Sequence, residues 1–179
     1  VRDIDLNIET GDVIRINGRN GAGKSTILKI IASIYPPTEG SISISKNCNI
    51  AYMDQYSTNL VAHDLTIREH IEAFISHKDR TKSKDIFQKM QSFGLGLEEN
   101  LDEFVGHLSG GQQQIVALLS VLAAGANLLC LDEYLTALDQ KSVNIANQIL
   151  SLQIEEEGLS VIVVSHEVPQ LLFNKELHL

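Results

Sequence analysis

Residues 18–26 read Gly-Arg-Asn-Gly-Ala-Gly-Lys-Ser-Thr, and Gly18, Gly23, Lys24 and Ser25 meet the phosphate-loop pattern G-x-x-x-x-G-K-[ST]. The residue types state the chemistry. Glycines let successive backbone N–H groups curl inward as an anion nest, and a following helix adds the positive end of its dipole. Lys24 brings an ammonium to the outer phosphates, and the Ser25 hydroxyl is a hard oxygen ligand for Mg²⁺. Asn20, Gly21, Ala22, Gly23, Lys24, Ser25 and Thr26 together form the expected cradle for a nucleoside triphosphate. The alternative is a glycine-rich turn that merely happens to precede a helix. All fixed positions and both flanks favour the phosphate site.

Three further groups carry chemistry. Asp132-Glu133 closes the apolar run Leu128–Leu131, which reads as a buried parallel-type strand delivering acids to its carboxyl end. Beside a phosphate loop, such a pair suits a Mg²⁺ partner and a water-activating base better than a solvated strand end. Leu108-Ser-Gly-Gly-Gln112 heads a long helix, Gln113–Ala124, and offers a hydroxyl and free N–H groups as a second anion cradle. One chain cannot easily bring both cradles to one phosphate from opposite sides, but two chains can. Gln55 and His166 each lie just past a strand. Either alone is bland; at one sheet edge with Asp132 they become site candidates.

The elements that position these groups are legible by pattern. Asp12–Asn17 has strand content and Ile27–Ala32 helical spacing. Val1–Ile8, Ser41–Ser45 and Asn47–Tyr52 alternate with period two, which predicts an antiparallel β portion from residues 1–17 and 41–52. Thr66 with Glu69 predicts a capping box. A helix near Ser83–Phe93 ends at Gly94 and Gly96, and Thr136–Asp139 forms a tight turn. An amphipathic helix covers Lys141–Ile154, and Leu159–Val164 is a buried strand. The expected fold is α/β, a phosphate-loop fold with a mostly parallel sheet, the antiparallel portion and a small helical subdomain. It is read as a single domain over 1–179 with clipped edges: core 1–62 and 109–179, helical subdomain about 63–108.

Composition narrows the classes. A net charge of −9 gives no global basic field, so no nucleic-acid partner is expected. Cys48 and Cys130 lack metal-ligand spacing, and a disulfide framework is not expected. The apolar stretch Ile115–Leu131 is interrupted by Gly125-Ala-Asn127, so it reads as helix, turn and strand rather than a membrane span.

In order, the phosphate loop, Gln55, Leu108–Gln112, Asp132-Glu133, Leu138-Asp139 and His166 resemble ATP-binding cassette (ABC) ATPases over essentially the whole chain. The resemblance implies an ATPase that uses ATP and Mg²⁺ and dimerises head to tail, two ATPs being sandwiched between the loop of one copy and the signature of the other. It implies that Lys24, Ser25 and Thr26 hold phosphates and metal, that Gln55 senses metal and water, and that Asp132 supports Mg²⁺. Glu133 is then the general base and His166 contacts the γ-phosphate. Ser109, Gly110, Gly111 and Gln112 serve the partner's ATP, and Asp139 bridges the interface. Two positions depart from the pattern: Tyr134 stands where proline is common and Ile115 where arginine often follows the signature. No adenine-stacking aromatic can be named.

The implied partners are a second ABC ATPase subunit, transmembrane permease subunits and an extracytoplasmic solute-binding protein. The implied location is cytoplasmic, peripheral on the inner face of the cell membrane. Gly94–Glu98, Val105–Gln112, Ala117–Leu119, Thr136–Asp139 and Leu159-Ser160 are similar to ATPases of importers of tryptophan-like or other small solutes. The competing class is a soluble ABC ATPase of translation, repair or cluster assembly. The short interval between phosphate loop and signature leaves no room for the long coiled coils of the repair class, and one cassette rather than two argues against the translation class.

Overall fold

The computed structural model describes residues 4–75, 86–87, 100–165 and 171–179. The continuous apolar runs Leu128–Leu131 and Val161–Val164 become strands buried along their whole length, as central strands of a parallel sheet covered on both faces are. In chain order the strands are β1 (Val13–Asn17), β2 (Ile50–Asp54), β3 (Leu128–Asp132), β4 (Ser160–Val164) and β5 (Lys175–His178). They form a sheet in the order β2-β3-β4-β1-β5, and every pair in it is parallel. Every second residue along the strands fills one face: Ile14, Ile16, Leu128, Cys130, Ile162 and Val164, packed with Leu28 of helix α1 (Lys24–Ile31). Leu129, Val161 and Val163 are equally buried on the opposite parity. Cys130, the small apolar side chain expected there, has its thiol pushed up to about 12 by burial, chiefly desolvation, and both cysteines are free.

The expected antiparallel portion does not form among the described residues. Residues 4–9 carry no strand, although Leu6 and Ile8 pack partly buried against the sheet core. Residues 41–45 carry none either, and Ile42 and Ile44 stay exposed. The end of the Asn47–Tyr52 run instead enters β2, which pairs parallel with β3. Alternation assigns side chains to faces, but a strand exists only where a neighbour completes its ladder. Strand β5 lies at the edge beside β1, half-buried in alternation.

The chain falls into two compact units. The first comprises residues 1–55, 126–136 and 150–179 and holds the whole sheet with α1. The second comprises residues 56–125 and 137–149. It contains α2 (Ile67–Phe74) and α3 (Gly110–Ala123), and helix α4 (Gln140–Glu157) begins in it. Helices α2 and α3 pack together, and Ile67 and Ile71 on the first and Ile115 and Leu118 on the second are fully buried. Ile115, the departure noted above, is thus core. The Thr66–Glu69 capping box is present, Glu69 N–H donating to Thr66 Oγ1 and Thr66 N–H to Glu69 Oε2; such a cap is worth about 1 kcal/mol. Of the expected helix Ser83–Phe93, only Ile86 and Phe87 fall within the described residues, and they are helical. The turn expected at Thr136–Asp139 is a 3₁₀ turn over Tyr134–Ala137.

Candidate nucleotide site

Strand β1 ends at Asn17 and hands the chain to the glycine loop, which closes into α1 at Lys24. Gly23 caps that helix in the left-handed region, φ 97°, where a side chain would strain the backbone. This turn exposes the first amides of α1 at the carboxyl edge of the sheet. The Lys24 ammonium folds over the loop, donating to the carbonyls of Gly18 (3.0 Å) and Arg19 (3.2 Å). A cleft of about 400 Å³ lies here, lined by Asn20, Gly21, Gly23, Lys24, Ser25, Thr26 and Glu133. Ala22 does not line it; its N–H closes the turn onto the Arg19 carbonyl at 3.1 Å.

Strand β3 brings the acids to the same edge. Ser25 Oγ donates to Asp132 Oδ1 at 2.9 Å, joining residues 107 positions apart. Tyr52 Oη donates to the other carboxylate oxygen at 2.8 Å. Burial, then the Asp132 acceptor, pushes the Tyr52 phenol well above its ordinary value, so it stays a donor. Glu133 adopts a left-handed backbone, φ 52°, which costs a non-glycine residue about 1–2 kcal/mol. Three hydrogen bonds hold it there. Its N–H donates to the Val164 carbonyl at 2.7 Å, and its own carbonyl accepts from Thr136 N–H at 3.1 Å and Thr136 Oγ1 at 2.6 Å. Glu133 is thus fixed at the wall of the cleft. Tyr134, the other departure, is buried, with its phenol raised well above its ordinary value by desolvation.

Gln55 follows directly on Asp54, which is in register with Asp132, so it stands at the same sheet edge and is exposed. His166 lies outside the described residues. No cluster of three or more His, Cys, Asp or Glu among the described residues is placed to hold a metal ion. The Ser25 hydroxyl and Asp132 carboxylate are hard oxygens, and a site of this kind fits Mg²⁺, which takes few protein ligands and completes its shell with water and phosphate.

The signature residues gather separately, in the second unit. Ser109 caps α3 in a reciprocal box: Gln112 N–H donates to Ser109 Oγ at 3.3 Å, and Ser109 N–H to Gln112 Oε1 at 3.0 Å. Gly110 is exposed, with open space where a Cβ would stand. Gly111 is not. A Cβ there would come within 2.6 Å of Ser142 Oγ and 3.0 Å of Asp139 Oδ2. Asp139 itself caps α4, accepting from Ser142 N–H at 2.9 Å and Ser142 Oγ at 3.1 Å, and these bonds hold its carboxyl below the ordinary value.

Sequence reasoning missed Tyr52, Thr136 and Ser142. A half-buried tyrosine needs a partner for its hydroxyl, and that was the available signal for Tyr52.

The family model described as ABC transporter matches residues 1–136. The chain belongs to the ABC transporter family. Among curated ABC proteins it is 30% identical to the ribose import ATP-binding protein RbsA of Caldanaerobacter subterraneus subsp. tengcongensis, over 94% of this chain and 37% of that protein. It is 28% identical to the cytochrome c biogenesis ATP-binding export protein CcmA of Histophilus somni, over 93% of this chain and 80% of that one. A solved ABC cassette, a dimer in a post-hydrolysis state bound to ADP and Pi, superposes with TM-score 0.68 at 28% identity, covering 93% of this chain and 80% of the other. The chain thus spans little more than a third of RbsA. No helix among the described residues is long and apolar enough to cross a membrane.

Proposed function

We propose that this chain binds and hydrolyses ATP as the motor subunit of an ABC transporter, working as a head-to-tail pair. The observation that carries the reading is the Ser25–Asp132 hydrogen bond beside a cleft walled by the phosphate loop and Glu133. Asn20, Gly21, Gly23 and Thr26 cradle the phosphates through backbone and hydroxyl donors, and Lys24 turns its ammonium from the loop carbonyls to the triphosphate. Ser25 and Asp132, with Gln55, hold Mg²⁺, which when bound screens the charge of the phosphate oxygens. Glu133 takes the proton of the lytic water; a carboxylate repels phosphate, so it acts through water rather than by contact. His166 contacts the γ-phosphate. Ser109, Gly110, Gly111 and Gln112 meet the triphosphate of a second copy, and the isologous geometry makes two equal sites.

The segment of about 63–108 acts as the helical subdomain that receives the permease subunit. Exposed Tyr56, Leu60 and Phe104 support such a docking role. The assembly sits on the inner face of the cell membrane, with a solute-binding protein on the other side. Import is the favoured direction, supported by the name of the ribose relative; export has the support of the CcmA name. Phosphate release from Mg²⁺-ATP tests the core of the reading. Wild type should turn over and Glu133→Gln should bind ATP without turnover; equal turnover in both overturns it.

A further inference from the structure

Two donors on different elements hold Asp132. Ser25, on α1, takes Oδ1, and Tyr52, on β2, takes Oδ2. With one donor a carboxylate can rotate about its Cβ–Cγ bond. With two donors from different directions its plane is set, and the lone pairs left over point in fixed directions. Asp132 is 7% exposed, so little water competes for those oxygens. The Tyr52 ring is itself held. Its register partner is Cys130, two residues before Asp132, and the Lys29 ammonium lies 5.8 Å from the ring centroid. The hydroxyl donates without neutralising, so the negative charge stays on Asp132.

We propose that Tyr52 is a positioning residue that fixes the Asp132 carboxylate for the Mg²⁺ bound with nucleotide. The inference rests on the ATP and Mg²⁺ reading above, and goes beyond it by assigning metal affinity to a residue of β2, outside the phosphate loop. Partners that orient a metal-site carboxylate commonly control affinity as strongly as the ligands do. A tyrosine that merely satisfied a buried acceptor would matter to stability and not to the metal in particular.

The test uses Tyr52→Phe, which removes one oxygen and keeps the ring. Mn²⁺, read by electron paramagnetic resonance, serves as the metal probe in the presence of a non-hydrolysable ATP analogue. Affinity for the same analogue is measured separately in EDTA. The expected result is a rise of about tenfold in the Mn²⁺ concentration for half-saturation, with metal-free nucleotide affinity unchanged within about twofold. In an Asp132→Asn background, Tyr52→Phe should add no further loss, because its effect passes through that carboxylate. Unchanged Mn²⁺ affinity, an equal fall in EDTA, or additive losses in the double variant each overturn the proposal. Failure of the wild type itself to hold Mn²⁺ with the analogue overturns the ATP and Mg²⁺ reading along with it.

Discussion

Ser25 Oγ and Asp132 Oδ1 meet at 2.9 Å, so the first turn of α1 and the end of β3 share one hydrogen bond at the carboxyl edge of the sheet. Removing the hydroxyl with Ser25→Ala leaves a nearly buried carboxylate oxygen without its donor. That should lower unfolding stability by about 1–3 kcal/mol in EDTA. It should also weaken Mg²⁺-dependent nucleotide binding. Denaturant melts with and without Mg²⁺-ATP check both. Unchanged stability in EDTA would show that water replaces the hydroxyl.

Glu133 and Lys24 line the same cleft but should fail differently. Glu133→Gln should keep nucleotide affinity and lose turnover by about 10²–10⁴-fold, the usual worth of a general base. Lys24→Ala should lose affinity first. Fluorescent-nucleotide titration beside phosphate release separates the two, and identical profiles for both variants would remove the division of roles.

The adjacent signature glycines give a sharper contrast. Gly110→Ala meets open space, and alanine gains about 0.5–1 kcal/mol of helix propensity over glycine, so the melting temperature should hold or rise. If the proposed second copy seats its phosphate there, ATP-driven dimerisation of a Glu133→Gln background should nevertheless be lost. Gly111→Ala drives a methyl into Ser142 and Asp139, and overpacking of that kind costs about 1–3 kcal/mol within a single chain. Light scattering together with thermal melts reads both effects. A dimer that forms normally with Gly110→Ala would count against the head-to-tail arrangement.

His70 supplies the pH dependence. It is almost fully buried on α2, its Nε2 has no hydrogen-bond partner among the described residues, and desolvation lowers its pKa below 6.5. The unfolded chain therefore binds the proton first as pH falls. Stability from this group is whole above pH 6.5 and declines as pH drops through the window beneath it. The carboxyls held low, Asp12, Glu69 and Asp139, titrate below their ordinary values of 3.8, 4.5 and 3.8, outside that window. Urea melts at pH 7.5 and 5.5 should show a loss for wild type that shrinks in His70→Leu. An equal loss in both would acquit His70.

Local chemistry was legible in the sequence. The phosphate loop needs only contiguous residues, because its cradle is made of neighbouring backbone amides and the helix they open. The Thr66–Glu69 box and the Ser109 helix start are likewise set by residues three positions apart. The run Leu128–Leu131 announced a strand covered on both faces, and with it the place of Asp132 and Glu133.

Tertiary structure decided what lies between distant segments. Period-two alternation in Ser41–Ser45 is the same whether or not a neighbouring strand exists, and here the described residues supply none. The same ambiguity sent β2 into a parallel pair with β3 and placed β5 beside β1. The left-handed turn at Glu133 depends on Val164, and the close approach of Ser142 to Gly111 depends on the start of α4. Tyr52 reaches Asp132 across 80 positions. A one-dimensional pattern reports which face a side chain takes; only the folded chain, by pairing backbones and closing distances between elements, decides which group stands opposite.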